Sequence, residues 1–198
     1  MKSFSAGTFV VLIAAVESLG VAAPRTSGIY LTAADYSDGR LTAEGDCGSS
    51  GHKLELHDVL NKSYIHATHG TETSRYAKSD LFGFRACDGK DYRFVSNKEF
   101  RILEAKELYI YEQRVGNGRS INEVYHFSKG SNGAVLPLTR ENLKYAFPDN
   151  RAFQESLDQT FGAKKDLAQY DRLHKMFKVN WLLIATQTPE PSPTPENR

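Results

Sequence analysis

LFGFRACDGKDYRF, residues 81–94, carries two short aromatic runs on either side of a glycine-containing turn, and the way they pair decides which side chains meet a core. Successive side chains of a strand point to opposite faces, so a one-residue change of register exchanges the faces. A two-residue Asp88-Gly89 loop sets Phe84 opposite Arg93 and Ala86 opposite Asp91, mixing apolar groups with charge. A three-residue loop, Asp88 to Lys90, sets Phe84 opposite Phe94 and Ala86 opposite Tyr92. That second register is the expected one. It gives an aromatic face for burial and leaves Arg85, Cys87, Asp91 and Arg93 on the other side.

The same chemistry extends in both directions. From Gly28 to Leu138, GIYLT, KLELH, SYIHAT, LFGFRA, DYRFV, EFRILE, ELYIYEQ, EVYHFS and VLPL are rich in aromatic and β-branched residues, as strands are. DGK, SNK, VGNGR and KGSNG join them with residues that accept positive φ. Only TAADYSDG interrupts, where Thr32 can cap a single helical turn. After Leu138 the spacing becomes helical. Thr139 caps RENLKYAF, Pro148 stops it, Asp149 caps NRAFQESLDQTF, and Gly162 ends that helix. A third helix is expected from about Asp166, with Leu167, Tyr170, Leu173, Phe177, Trp181 and Ile184 as one apolar stripe. The fold class read from this order is α+β: an N-terminal antiparallel β-meander or curved sheet, followed by three C-terminal helices packed on its aromatic face.

The first residues read as a signal peptide, 1–23, with Lys2 before the apolar run FVVLIAAV and small residues in GVAAP, where cleavage is expected near Ala22. The apolar run is far shorter than the ~20 residues that span hydrocarbon as a helix. Residues 24–185 then form one domain, and the proline-rich 186–198 an extended disordered tail. Export to the periplasm or exterior gives the two cysteines a partner in each other, Cys47 with Cys87. A formal net charge of +1, with both signs interspersed, argues against nucleic acid as a partner. No transmembrane segment is expected after signal cleavage, and the partner class, an envelope protein or a small ligand, is left open.

Four of the six histidines lie between His52 and His69. On strands, a spacing of three separates faces: His52 sides with Leu54 and Leu56, His57 with Lys53 and Glu55, His66 with Tyr64, and His69 with Ile65. At most one histidine of each strand can meet, and zinc wants three or four converging ligands. The expected metal set is therefore none, with His57 and His66 beside Glu55 or Asp58 as the alternative. His126 reads as a partly buried ring, and His174 as packing at a helix edge. The motifs GxSxG, HExxH, GxxxxGK and GxGxxG are missing, and GNGRS sits between strands as a hairpin loop. No catalytic residue and no cofactor is assigned.

In this order, GIYLTAADY, HKLELHDVLNKSYI, LFGFRACDGKDYRF, LPLTRENLKYAFPDN and LHKMFKVNW resemble a group of small exported proteins of unknown function from Bacteroidetes-type bacteria. The likeness runs from Gly28 to Ile184. It implies compartment and shape and carries over no site residue. The reading reached is a non-enzymatic binding or structural module of the periplasm or cell envelope, with Arg85, Asp91, Arg93, Tyr109 and Tyr111 as candidate binding residues on a sheet face. The alternative is a hydrolase or metal-dependent enzyme using His57 and His66 with nearby carboxylates.

Overall fold

A computed structural model describes residues 25–56, 62–117, 120–162 and 166–187. The expected signal peptide, His57, Asp58 and the tail from residue 188 lie outside the described residues; Thr186 and Gln187, expected in the tail, close the last helix.

The chain begins with β1 (Thr26–Tyr30), a short α1 (Ala33–Ser37) and β2 (Thr42–Asp46). It then leaves for β3 (His52–Glu55), β4 (Tyr64–His69) and β5 (Glu72–Ala77), which form their own three-stranded sheet. It returns at β6 (Gly83–Arg85) and runs as a meander through β7 (Asp91–Val95), β8 (Lys98–Ala105), β9 (Leu108–Asn117), β10 (Ser120–Lys129) and β11 (Leu136–Pro137). The eight-stranded order is β11-β10-β9-β8-β7-β6-β1-β2, antiparallel at each pairing. A single curved sheet was expected; the β3–β5 excursion makes two. Strands β2 and β5 were not expected at all. TAEGD and ETSRYA are edge strands with little buried apolar surface, so neither shows alternation.

The β6–β7 hairpin keeps the expected faces but not the expected register. Phe84 stands opposite Tyr92 and Arg85 opposite Asp91, and the ladder continues through the Ala86 N–H, which donates to the Lys90 carbonyl (2.8 Å). The loop is thus Cys87–Gly89, not Asp88–Lys90. A three-residue loop wants its last residue left-handed, and Gly89, at φ +78°, is the residue that takes that conformation without strain. The shift is two residues, so parity survives. The other joints behave as their residues suggest. Ser96 and Asn97 both have positive φ in the two-residue β7–β8 turn, and Gly116 and Gly130 do so beside the later turns.

One face of the large sheet carries a continuous cross-strand row, Ile29, Phe84, Tyr92, Arg101, Glu112 and Tyr125. Its apolar end is covered by the small sheet: Ile29, Phe84 and Phe94 form a core with Ile65 and Leu81. The helices were expected on this aromatic patch. They instead cover Leu108, Ile110 and Phe127, further along the same face. Helix α2 (Arg140–Ala146) is capped by Thr139, and α3 (Arg151–Phe161) by Asn150 in place of the expected Asp149, its Oδ1 accepting from the Phe153 N–H at 3.0 Å. Helix α4 spans only Lys178–Gln187.

The expected helical stripe from Asp166 is corrected by Asp171. Its carboxylate accepts the backbone N–H groups of Leu173 and His174 (2.9 and 3.1 Å), a local turn that competes with helix. The turn joins two short strands, β12 (Tyr170–Asp171) and β13 (Met176–Phe177), and leaves Leu173 84% exposed. Helix α4 buries Val179, Leu182 and Leu183, and docks through buried Asn180, whose amide exchanges hydrogen bonds with both backbone groups of Leu108 (2.8 Å each).

Cys47 and Cys87 are bonded, with Cα atoms 5.6 Å apart, tying the end of β2 to the β6–β7 loop. Closing 40 residues of separation contributes roughly 4 kcal/mol in the chain-entropy model. Among the described residues no helix is long and apolar enough to cross a membrane.

Gly83 packs so closely on the neighbouring strand that a Cβ there lies 1.8 Å from the Tyr92 carbonyl oxygen. Backbone cannot yield as a side chain does. Gly83→Ala is therefore expected to lower stability by at least about 2 kcal/mol, read as a shifted urea midpoint with the disulfide intact.

Candidate functional site

The second face of the sheet carries Tyr30, Arg85, Asp91 and Arg93, with Tyr109 and Tyr111 further along it. Helix α1 lies over this face. It forms because Thr32 and Asp35 build a capping box: the Thr32 hydroxyl accepts from the Asp35 N–H (3.1 Å), and the Asp35 carboxylate accepts from the Thr32 N–H (3.0 Å). The turn sets Tyr36 among Tyr30, Phe82 and Tyr109, with ring centroids 5.2, 5.2 and 6.1 Å away.

Asp91 is the centre of the group. Its Oδ1 accepts from the Tyr30 hydroxyl (2.9 Å) and Arg85 Nε (2.9 Å), and its Oδ2 from Arg85 Nη2 (3.1 Å). This two-pronged pairing raises the Arg85 guanidinium above its ordinary value, the hydrogen bond to Asp91 being the largest cause. Burial, then the Asp91 charge, pushes the Tyr30 and Tyr36 phenols far above their usual range. Both remain neutral hydrogen-bonding groups at physiological pH. Tyr36, Ser37, Arg85, Asp91, Ala105 and Tyr109 together line a cleft of about 340 Å³.

Of the five candidate binding residues, Arg85, Asp91 and Tyr109 meet in this cleft, whereas Arg93 and Tyr111 stand behind it. Arg93 Nη1 donates to the Tyr111 hydroxyl (2.9 Å) and to Ser128 Oγ (3.3 Å), and Nη2 donates to the Gly133 carbonyl (3.1 Å). Ser128 Oγ donates onward to the Gly130 carbonyl (2.7 Å), so the Tyr111 hydroxyl is the donor in its 2.9 Å bond to Ser128. Tyr111 is 0% exposed, and burial raises its phenol. This relay fastens β7 to β9, β10 and the following loop.

The histidines follow strand parity. His52 pairs with His69, and Glu55 with His66, whose Nδ1 is 3.9 Å from Glu55 Oε2. His57, with Asp58, lies outside the described residues. Among the described residues no group of three or more His, Cys, Asp and Glu side chains could hold a metal ion. His52 Nε2 sits 2.6 Å from buried Ser27 Oγ, facing a small apolar pocket with Leu54 and Phe84. Its buried Nδ1 has no partner among the described residues and lies against Gly45, so no acceptor orients the ring as a general base requires. His126 packs edge-on to Phe100 at 5.0 Å and is held below its ordinary pKa by burial. His174 belongs to the Asp171 turn rather than a helix edge, bonded to Asp171 and stacked on Trp181 at 4.7 Å.

Sequence reading missed Tyr36, which only the capping box of α1 brings to the site, and Lys78, a lysine buried beside the charged half of the opposite face. Compared with family models, curated proteins and solved structures, the chain has no match.

Folding raises Tyr30 and Tyr36, so the protonated phenols belong to the folded state. Their contribution is fully present below about pH 10, where free tyrosine ionises, and is lost as pH rises beyond it. Stability of the wild type should fall above that pH. The Tyr30→Phe/Tyr36→Phe variant should show a shallower fall in denaturation midpoints measured across the alkaline range.

Proposed function

We propose that the protein is an exported, non-enzymatic binding module of the periplasm or cell envelope whose Arg85–Asp91 cleft takes a small, neutral, polyhydroxylated ligand such as a saccharide unit. One observation carries this reading: a charge-balanced pair, with donors and an acceptor side by side, lies between two tyrosines in a preformed cleft. Arg85 Nη1 has no hydrogen bond among the described residues, and neither do the hydroxyls of Tyr36 and Tyr109. Adjacent hydroxyls of a sugar can bridge guanidinium and carboxylate, while its C–H face lies on a phenol ring. The opposed charges already cancel, which favours a neutral ligand over an ion. About 340 Å³ falls at the lower end of the ~300–1,000 Å³ found for small-molecule sites.

Export rests on the signal-peptide pattern, and the Cys47–Cys87 bond is compatible with an oxidising compartment. The scaffold is α+β in this reading: the C-terminal helices brace the sheet at Leu108, Ile110 and Phe127 while α1 shapes the cleft. The competing enzyme reading, with His57 and His66, is favoured by no geometry among the described residues.

Amide NMR titration with a panel of neutral hexoses, N-acetylhexosamines and their disaccharides tests the proposal. Saturable shifts confined to Tyr36, Arg85, Asp91 and Tyr109, abolished in Tyr109→Ala and Arg85→Met, are expected. Absence of a response to every sugar, or shifts that survive both substitutions, would overturn it.

A further inference from the structure

We infer that the opposite face of the sheet holds a second ligand site, a cationic cleft built for a phosphoryl group. The cleft has a volume of about 540 Å³, larger than the one between the tyrosines, and is lined by Lys78, Lys98, Arg101 and Arg114 with Glu99 and Glu112. Its position follows from the cross-strand row: the small sheet covers the apolar end, the helices cover Leu108 and Ile110, and the charged residues lie between.

Among the described residues four cations face two carboxylates, an excess of two positive charges in a chain whose whole formal charge is +1. The excess is local. A phosphate monoester carries about −1.5 to −2 near neutral pH, which matches it. The cations also differ in how they are held. Lys78 has a side chain 1% exposed, held by the 3₁₀ turn Lys78–Asp80, with Nζ 3.4 Å from Glu99 Oε1 and 5.2 Å from the centre of the Phe94 ring. Arg101 is half-buried and 3.5 Å from Glu112, a long contact beside the 2.9 Å of Arg85 with Asp91. Lys98 and Arg114 are exposed and form no ion pair among the described residues. Buried lysine, half-buried arginine and two exposed cations thus grade from the floor of the cleft to its rim. Arginine's planar fork suits phosphate oxygens, and Lys78 supplies a point charge beneath them.

Free phosphate monoesters and lipid headgroups present the same group, so the test uses both. Wild-type protein and the Lys98→Gln/Arg114→Gln variant, both sites exposed, are titrated at constant ionic strength with inorganic phosphate, glycerol 3-phosphate and phosphatidic-acid vesicles. Amide shifts of Glu99 and Gln113 report on the soluble ligands, and co-sedimentation reports on the vesicles. Saturable binding that weakens by about tenfold or more in the variant is expected. Response to the soluble phosphates supports a free ligand, and response to vesicles alone supports a headgroup. No saturable response to any of the three, or equal affinity in the variant, would overturn the inference. Variants of Arg85 and Tyr109 should leave this binding unchanged, so the two sites fail or stand separately.

Discussion

Asp91 is a partly buried carboxylate on the fourth strand from one end of an eight-stranded sheet, and three hydrogen bonds converge on it from the next two strands toward that end. A carboxylate taken from water has to be paired or protonated. Here the partners are Arg85 of β6 and Tyr30 of β1, so the same group that must be satisfied also holds the place where the chain returns after its excursion through β3–β5. The β1–β6 ladder is only three residue pairs long. Such a short, non-local junction needs clamps, and it has an ionic one at Asp91 and a covalent one at Cys47–Cys87.

Strand parity then gives the sheet two distinct sides. Even-numbered residues of the central hairpin, Phe84, Tyr92 and Phe94, turn toward the small sheet; odd-numbered Arg85, Asp91 and Arg93 turn toward α1 and the tyrosines. Among the described residues each side is covered only in part. Where cover is incomplete a cleft remains, neutral and aromatic on one side and cationic on the other. The two chemistries come from one alternating pattern, because neighbours along β7 and β8 cannot share a face.

Alternation was the part of this fold most legible in the sequence. It separated the faces of residues 81–94 correctly even though the loop was placed one residue late, since Gly89 had to be last in the loop and the resulting slip was even. The Cys47–Cys87 pairing was legible from the count of two cysteines and the compartment that the signal-peptide pattern led us to expect. Thr32 as a cap was legible too, but not that its helix would deliver Tyr36 to a cleft, because that depends on where β1 lies in the sheet. Edge strands β2 and β5 escaped because exposure on both sides removes the apolar rhythm that betrays a strand. The long C-terminal stripe misled for a different reason. Spacings of three and four count apolar positions but ignore Asp171, whose carboxylate captures two backbone N–H groups, and Asn180, a polar residue that docks the helix. Lys78 was invisible because nothing local to a lysine announces that tertiary structure will bury it.

The coupling between Arg85 and Asp91 tests this account most directly. A double-mutant cycle with Arg85→Met and Asp91→Asn, followed by urea denaturation, measures it free of the separate cost of each substitution. A coupling of about 1.5 kcal/mol or more is predicted for a two-pronged, partly buried pair on one face of adjacent strands. Additive losses, with coupling near zero, would contradict the register on which the sheet and its cleft are built.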